Sequence, residues 1–225
     1  MNIFWKILND ENNDENNGET DQFTLETNEK IITKLSQIKK NIQNDVKNIQ
    51  KYKNYHVFPN IIHTDVCNFI IAESEKYAEK NGWTNNRHAN YPTTDIPVKN
   101  IPNICLLIDN IIKYDVLVLF QKYYNINKYF LEYNDIFIVK YDSNAQNKLE
   151  KHRDGSLFSF NILLNSPTEF IGGGTIFEVN GNNILVNNTQ GGVVIHSGQL
   201  LHSGNEITNG KRYLLVGFIK YLANF

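Results

Sequence analysis

Beyond Asp135 the chain changes texture, and that change limits the folds open to it. Short apolar runs near 135–141, 157–164, 174–179, 183–187, 192–196 and 212–220 are separated by Gly, Asn and Ser. Such runs read as strands of a sandwich or barrel, because β-branched and aromatic residues suit a half-buried pleated surface while Gly and Asn suit the turns. Upstream the pattern is helical. His56–Ile62 reads as a short strand, and Thr64 is placed to cap a helix through Lys80 that ends at Asn81-Gly82. A Pro- and Asn-rich loop covers 85–100, and a second helix is predicted from about Asn103 to Tyr124. Helices leading into a run of strands make the fold class α+β.

The first part of the chain is different again. Residues 1–26 are Asn-rich and acidic and lack apolar periodicity, which predicts a disordered tail. Over 27–54 an amphipathic helix is expected, since Ile31, Leu35, Ile38, Ile42, Val46 and Ile49 recur at three- and four-residue steps. That stripe suits packing on the domain behind it, with self-association through 27–52 as the alternative. The remaining residues, 55–225, are expected to form one domain with its core at 135–221.

Composition narrows the partners. The chain has 225 residues and 41% hydrophobic content, enough for one sizeable core. A net charge of −2 and a pI of about 6.3 give no overall pull toward nucleic acid or an anionic membrane. The two cysteines, Cys67 and Cys105, sit in apolar helical contexts, so a disulfide framework is not expected and a reducing compartment is the default. No run approaches the ~20 apolar residues that span a bilayer. The N-terminus is too short in apolar residues for a signal peptide, so a cytoplasmic location is expected. Abundant Asn, Ile and Lys suggest AT-rich coding, as in a parasite or large virus.

Chemistry concentrates between Tyr141 and Phe218. A ferrous oxygenase centre needs two neutral imidazoles and one carboxylate on one face of the metal, with the opposite face open. In an extended strand residues two apart point the same way, so His152-Arg153-Asp154 offers two such ligands side by side. The third must return on another strand, and His202 follows after ample chain. Arg212 begins the apolar run Tyr213–Phe218, where its guanidinium could grip a carboxylate bidentately inside a barrel.

These residues, within VKYDSNAQNKLEKHRDGSLFSFNILLN, FIGGGTIFE and GGVVIHSGQLLHSGNEITNGKRYLLVGFI, resemble the Fe(II)/2-oxoglutarate dioxygenases, and among them the prolyl 4-hydroxylase and procollagen lysyl hydroxylase branch. The resemblance implies a double-stranded β-helix, the jelly-roll of cupins, with flanking N-terminal helices. It implies His152, Asp154 and His202 as iron ligands, Arg212 on the far carboxylate of 2-oxoglutarate, and Tyr141 and Asn161 at the co-substrate. Fe(II), 2-oxoglutarate, O2 and ascorbate as reductant come with it. The reaction implied is hydroxylation of a C–H bond, on a peptidyl prolyl or lysyl residue, with release of succinate and CO2. Halogenases of this fold carry a small residue where Asp154 stands, which favours hydroxylation here. Leu163, where prolyl-type oxygen sensors have Tyr, tilts the resemblance toward the lysyl side.

Competing readings attach to several residues. His196 is the competitor to His202 as third ligand, and the spacing to Arg212 favours His202. His56, His63 and His88 read as structural or surface residues. Gly172-Gly173-Gly174 reads as a sharp turn between strands, since no GK[ST] follows. In strand 157–164, Ser159, Asn161 and Leu163 share the face expected toward the cavity, while Phe158, Phe160, Ile162 and Leu164 share the face toward the helices. The loop at 85–100, with Arg87, His88, Tyr91 and Pro92, suits an extended peptide, Arg87 and Tyr91 serving as donors to its carbonyls. A free amino acid or small molecule as substrate, or a catalytically silent jelly-roll binding module, are the alternatives.

Overall fold

A computed structural model of the chain describes residues 28–34, 36–37, 40, 54–88 and 90–222. The acidic tail 1–26 lies outside them, as do Leu35, Ile38, Ile42, Val46 and Ile49 of the expected stripe, and with them both readings of the 27–52 segment. Residues 28–34 are helical. The chain divides into two units, Met1–Ile42 and Gln43–Phe225, and the second carries the architecture.

That unit opens with β1 (Tyr55–Phe58) and α1 (Thr64–Asn81), then β2 (Asp95–Pro97), α2 (Pro102–Ile111), a π-turn (Ile112–Val116) and α3 (Leu117–Tyr124). The strands follow: β3 (Leu131–Asp142), β4 (Leu149–His152), β5 (Phe158–Leu163), β6 (Phe170–Gly172), β7 (Thr175–Val179), β8 (Asn182–Val186), β9 (Val193–Ser197), β10 (His202–Gly204) and β11 (Ile207–Tyr221). Two local expectations are corrected. His63, not Thr64, caps α1: its backbone is extended and its ring accepts from the Asp65 N–H at 3.3 Å. The predicted second helix is interrupted by the π-turn.

Among the described residues, one sheet runs β1-β9-β5-β11-β3-β2 with β6 paired to β11, and the other runs β4-β10-β7-β8. Their pairings are antiparallel, the arrangement expected of a double-stranded β-helix. The loop expected at 85–100 contributes β2, whose Pro97 is tolerated because β2 is an edge strand. Alternation along β5 works as expected. Phe158 packs outward, its ring 4.5 Å from that of Tyr124 and 5.0 Å from that of Phe120 on α3. All three are buried, and truncating such a ring costs ~3–5 kcal/mol. On the inner face the register sets Ser159 beside Phe218 and His196, and Asn161 beside Val216 and Val194.

Helix α1 is clamped to the outside of the larger sheet through one carboxylate. Glu75 accepts from Lys140 Nζ on β3 at 2.8 Å, from Tyr213 Oη on β11, and from Trp83 Nε1 at 3.4 Å. Burial opposes ionisation of Glu75, but these donors prevail and hold its carboxyl below the ordinary value of 4.5. A depressed carboxylate stabilises the fold above its unfolded pKa, and this contribution is lost as pH falls through the folded value. Glu75→Gln should therefore cost roughly 1–2 kcal/mol at neutral pH, and the cost should fade as pH falls below the ordinary value of 4.5 and through the lower folded one. Urea melts of both proteins across that range check it; a deficit that stays constant on acidification contradicts it.

Candidate metal centre

The smaller sheet decides where the imidazoles meet. His202 on β10 lies directly opposite His152 on β4 and opposite Phe177 on β7. Residues paired across antiparallel strands project from the same face, so the two imidazoles lie side by side with ring centroids 4.3 Å apart. Asp154, two residues past His152 and just beyond the end of β4, completes the group. One donor atom from each of the three lies within 4.8 Å of the others, and all three residues are buried. His152 Nε2 is 3.4 Å from Asp154 Oδ1, and His202 Nε2 is 3.7 Å from Asp154 Oδ2.

Hydrogen bonds set which ring nitrogen faces inward. His152 Nδ1 is 2.7 Å from the Glu150 carbonyl and His202 Nδ1 is 2.9 Å from the Leu200 carbonyl. A carbonyl only accepts, so each Nδ1 carries a proton and each Nε2 is the nitrogen turned toward Asp154. That second-sphere anchoring is the usual arrangement for a metal-binding imidazole. Asp154 is steadied in turn by the Ser159 hydroxyl, which donates to Oδ2 at 2.5 Å and is itself 2.9 Å from Ser156 Oγ.

Charges in the group are strongly coupled. Burial works against a charged Asp154, but His152, His202, His196 and the Ser159 hydroxyl overcome it and hold the carboxyl far below its usual range. Burial, reinforced by neighbouring His196, drives His202 down to about 3, so this imidazole is neutral. His152 is pulled the other way: burial lowers it, yet its bond to Asp154 and the Glu150 carbonyl leave it raised. One buried carboxylate and two imidazoles that turn Nε2 inward form a donor set for a divalent cation, which would displace any proton held there.

His196 lies beside this group without joining it. Its Nδ1 faces the Ser197 carbonyl at 3.0 Å and its Nε2 is 3.9 Å from Asp154 Oδ2. His56 packs among Phe58, Tyr123 and Tyr124, and His63 caps α1. His88, read from sequence as structural or surface, instead lines the cavity.

That cavity, of about 410 Å³, extends from the three residues to Arg212 and Tyr141 and includes Asn161. Arg212 pairs across the strands with Tyr141, and its guanidinium carbon lies 5.6 Å from the Tyr141 ring centroid. The Arg212 side chain is buried, and among the described residues its Nη1 has no hydrogen-bond partner. Burial lowers its pKa, and among the described residues no carboxylate forms an ion pair with it. A buried guanidinium with an unsatisfied nitrogen is expensive to maintain, and a ligand carboxylate is the group whose geometry would satisfy it.

Two glycines shape this end. A Cβ on Gly204 would fall 2.6 Å from Tyr141 Oη, and one on Gly173 would meet Phe170 and the Arg212 stem, with φ of +74° besides. Where a sharp turn is expected, Gly172 ends β6 and Gly173-Gly174 link it to β7, all three at positive φ, with Gly173 against the Arg212 stem. Alternation along β5 turns Ser159 toward the cavity, but its bond to Asp154 and the place of Gly204 beside Tyr141 carry no local signal and follow from register and proximity.

No protein-family model matches the chain. It is 34% identical to human procollagen-lysine,2-oxoglutarate 5-dioxygenase 2 over 177 residues, covering 72% of this chain and 23% of that protein. It is 40% identical over 89 residues to a procollagen lysyl hydroxylase and glycosyltransferase of Acanthamoeba polyphaga mimivirus, covering 38% of this chain and 10% of the relative. The chain therefore spans less than a quarter of the length of these relatives. Among solved structures, a viral collagen prolyl hydroxylase from Paramecium bursaria Chlorella virus-1 superposes with a TM-score of 0.56 at 18% identity, covering 75% of this chain and 96% of that one. A Pseudomonas putida prolyl-4-hydroxylase does so with a TM-score of 0.55 at 15% identity, covering 80% and 98%. These two likenesses establish the double-stranded β-helix.

Proposed function

The chain belongs to the Fe(II)/2-oxoglutarate-dependent dioxygenases, in their prolyl 4-hydroxylase and procollagen lysyl hydroxylase-like branch, and we propose that it hydroxylates a prolyl or lysyl residue of a peptide. The observation that carries this reading is the union, in one cavity, of the His152, Asp154 and His202 donor set with a buried Arg212 whose Nη1 lacks a hydrogen-bond partner among the described residues. Two imidazoles and one carboxylate suit Fe(II) with open positions, whereas a structural zinc site would close itself with a fourth protein ligand. Iron bound there would supply the dioxygen chemistry that couples decarboxylation of 2-oxoglutarate to C–H hydroxylation.

The protein's own groups have distinct parts in this reading. His152 and His202 offer Nε2 because their Nδ1 protons are committed to backbone carbonyls. Asp154 would supply the carboxylate ligand, and the Ser159 hydroxyl, which donates to its Oδ2, fixes its orientation. Arg212 takes the far carboxylate of 2-oxoglutarate, Tyr141 confines the guanidinium, and Asn161 provides a polar contact on the cavity wall. Apolar side chains from β3, β5 and β11, among them Val139, Leu163 and Leu214, keep that end dry, which strengthens the ion pair. Ascorbate would serve as reductant. The relatives named for procollagen lysine support a peptide substrate, and the two free cysteines suit a reducing compartment.

Incubating the protein with Fe(II), 2-oxoglutarate, O2 and a library of prolyl and lysyl peptides tests this. The expected result is succinate together with peptide heavier by one oxygen atom. Untouched 2-oxoglutarate and unmodified peptides from both classes would overturn it.

A further inference from the structure

The loop that leads into β2 stands at the mouth of the cavity, and one of its rings is in an unusual position. Tyr91 lies with its ring centroid 4.9 Å from that of His152 at an interplanar angle of 32°, yet the residue is 39% exposed. Part of the ring covers an imidazole of the candidate centre and the rest faces solvent at the entrance. A tyrosine on an untethered surface loop would lose considerable rotamer freedom by staying there.

This loop is tethered on both sides of Tyr91. Before it, Arg87 forks between two carboxylates, with Nη1 2.6 Å from Asp95 Oδ1 and Nη2 2.7 Å from Asp135 Oδ2. The guanidinium also lies over the Phe137 ring at 5.2 Å. After it, Gln146 makes two bonds to the loop: its Nε2 donates to the Pro92 carbonyl at 2.6 Å, and its Oε1 accepts from the Thr94 N–H at 2.5 Å. Thr93 Oγ1 donates to the fully buried Asp95 at 2.5 Å. Arg87, expected from sequence to meet substrate carbonyls, is therefore consumed as an anchor.

The anchoring presents a second ring as well. His88 packs 4.9 Å from Phe137 and 6.2 Å from Phe218, on the wall of the same cavity. His88, Phe137 and Phe218 thus form an aromatic cluster on the wall of the cavity that Tyr91 also lines. Aromatic faces hold aliphatic stems and pyrrolidine rings by close packing and attract an ammonium through the ring quadrupole. The Tyr91 hydroxyl adds a donor for a peptide carbonyl.

We propose that Tyr91, fixed by the Arg87 and Gln146 anchors, is a specificity-determining residue whose exposed ring face seats the target residue of an extended peptide beside His152. The inference rests on the peptidyl hydroxylase reading. Its test uses whichever proline- or lysine-bearing collagen-like peptide the wild type hydroxylates. KM and kcat for that peptide are measured for wild type, Tyr91→Ala, Tyr91→Phe and Tyr129→Ala, the last removing a remote ring that is 62% exposed. Peptide affinity is measured separately, without turnover, by fluorescence anisotropy on anaerobic protein loaded with Mn(II) and 2-oxoglutarate.

Tyr91→Ala should raise peptide KM and Kd about tenfold with a smaller change in kcat, while Tyr91→Phe, which keeps the ring face, should stay within about threefold. Tyr129→Ala should match wild type. Unchanged peptide KM and Kd in Tyr91→Ala overturn the proposal. So does a fall in Mn(II) affinity as large as the fall in peptide affinity, because Tyr91 would then be a prop for His152. A wild type that consumes 2-oxoglutarate but modifies neither peptide class fails the peptidyl reading itself, before any variant is compared.

Discussion

His202→Ala should bind Mn(II), an air-stable stand-in for Fe(II), at least the ~10–100-fold more weakly that loss of even an outer-sphere partner costs a metal site. Three donors converge here, and removing one leaves two that cannot enclose a cation. Asp154→Ala should do at least as much, since it removes the only negative charge in the set and releases His152 from its partner. His196→Gln provides the contrast. His196 Nε2 approaches Asp154 Oδ2 no closer than 3.9 Å and stands outside the converging group, so its loss should weaken Mn(II) binding far less. Calorimetric titration of the three variants decides the matter, and the opposite ranking of His196 and His202 would sink the assignment.

Arg212→Met should show a different pattern, because function and stability pull against each other at this position. The guanidinium is buried with Nη1 unpartnered, so an apolar side chain of similar length should leave the melting temperature unchanged or raise it. Affinity for 2-oxoglutarate should collapse, since losing a charge-assisted pair to a buried carboxylate costs roughly 2–5 kcal/mol. Iron affinity should change little. Added 2-oxoglutarate should raise the melting temperature of metal-loaded wild type by mass action and leave that of the variant in place. Equal 2-oxoglutarate dependence in the two proteins would remove Arg212 from the site.

Much of this architecture is legible in the order of the residues. Apolar runs place β5 to within one residue and locate the buried parts of β3 and β11, whose first four and five residues they miss, because only the buried stretch of a strand must be apolar. Helix α1 is equally plain, bounded by polar residues and Gly82. Three of the shortest strands are not. Leu149–His152, Phe170–Gly172 and His202–Gly204 are three or four residues long, and what makes them strands is pairing with partners far away in sequence. The loop at 85–100 misleads twice: Asp95–Pro97 joins the sheet at its edge, and Arg87 turns inward to two carboxylates that no local pattern links to it.

The candidate site divides along the same line. Sequence alone determined the chemistry on offer: a His-x-Asp pair, a later histidine and an arginine ten residues on, in strand-like surroundings. Alternation with period two is a local property, so the inward face of β5 and the shared direction of His152 and Asp154 could be read from residue order. Tertiary structure decided everything that depends on register. It set His202 opposite His152, brought Ser159 to Asp154, put His196 beside the group, and laid Tyr91 over an imidazole sixty-one positions downstream. Register is settled by the summed burial and hydrogen bonding of two whole sheets, a quantity that no single segment of the chain contains.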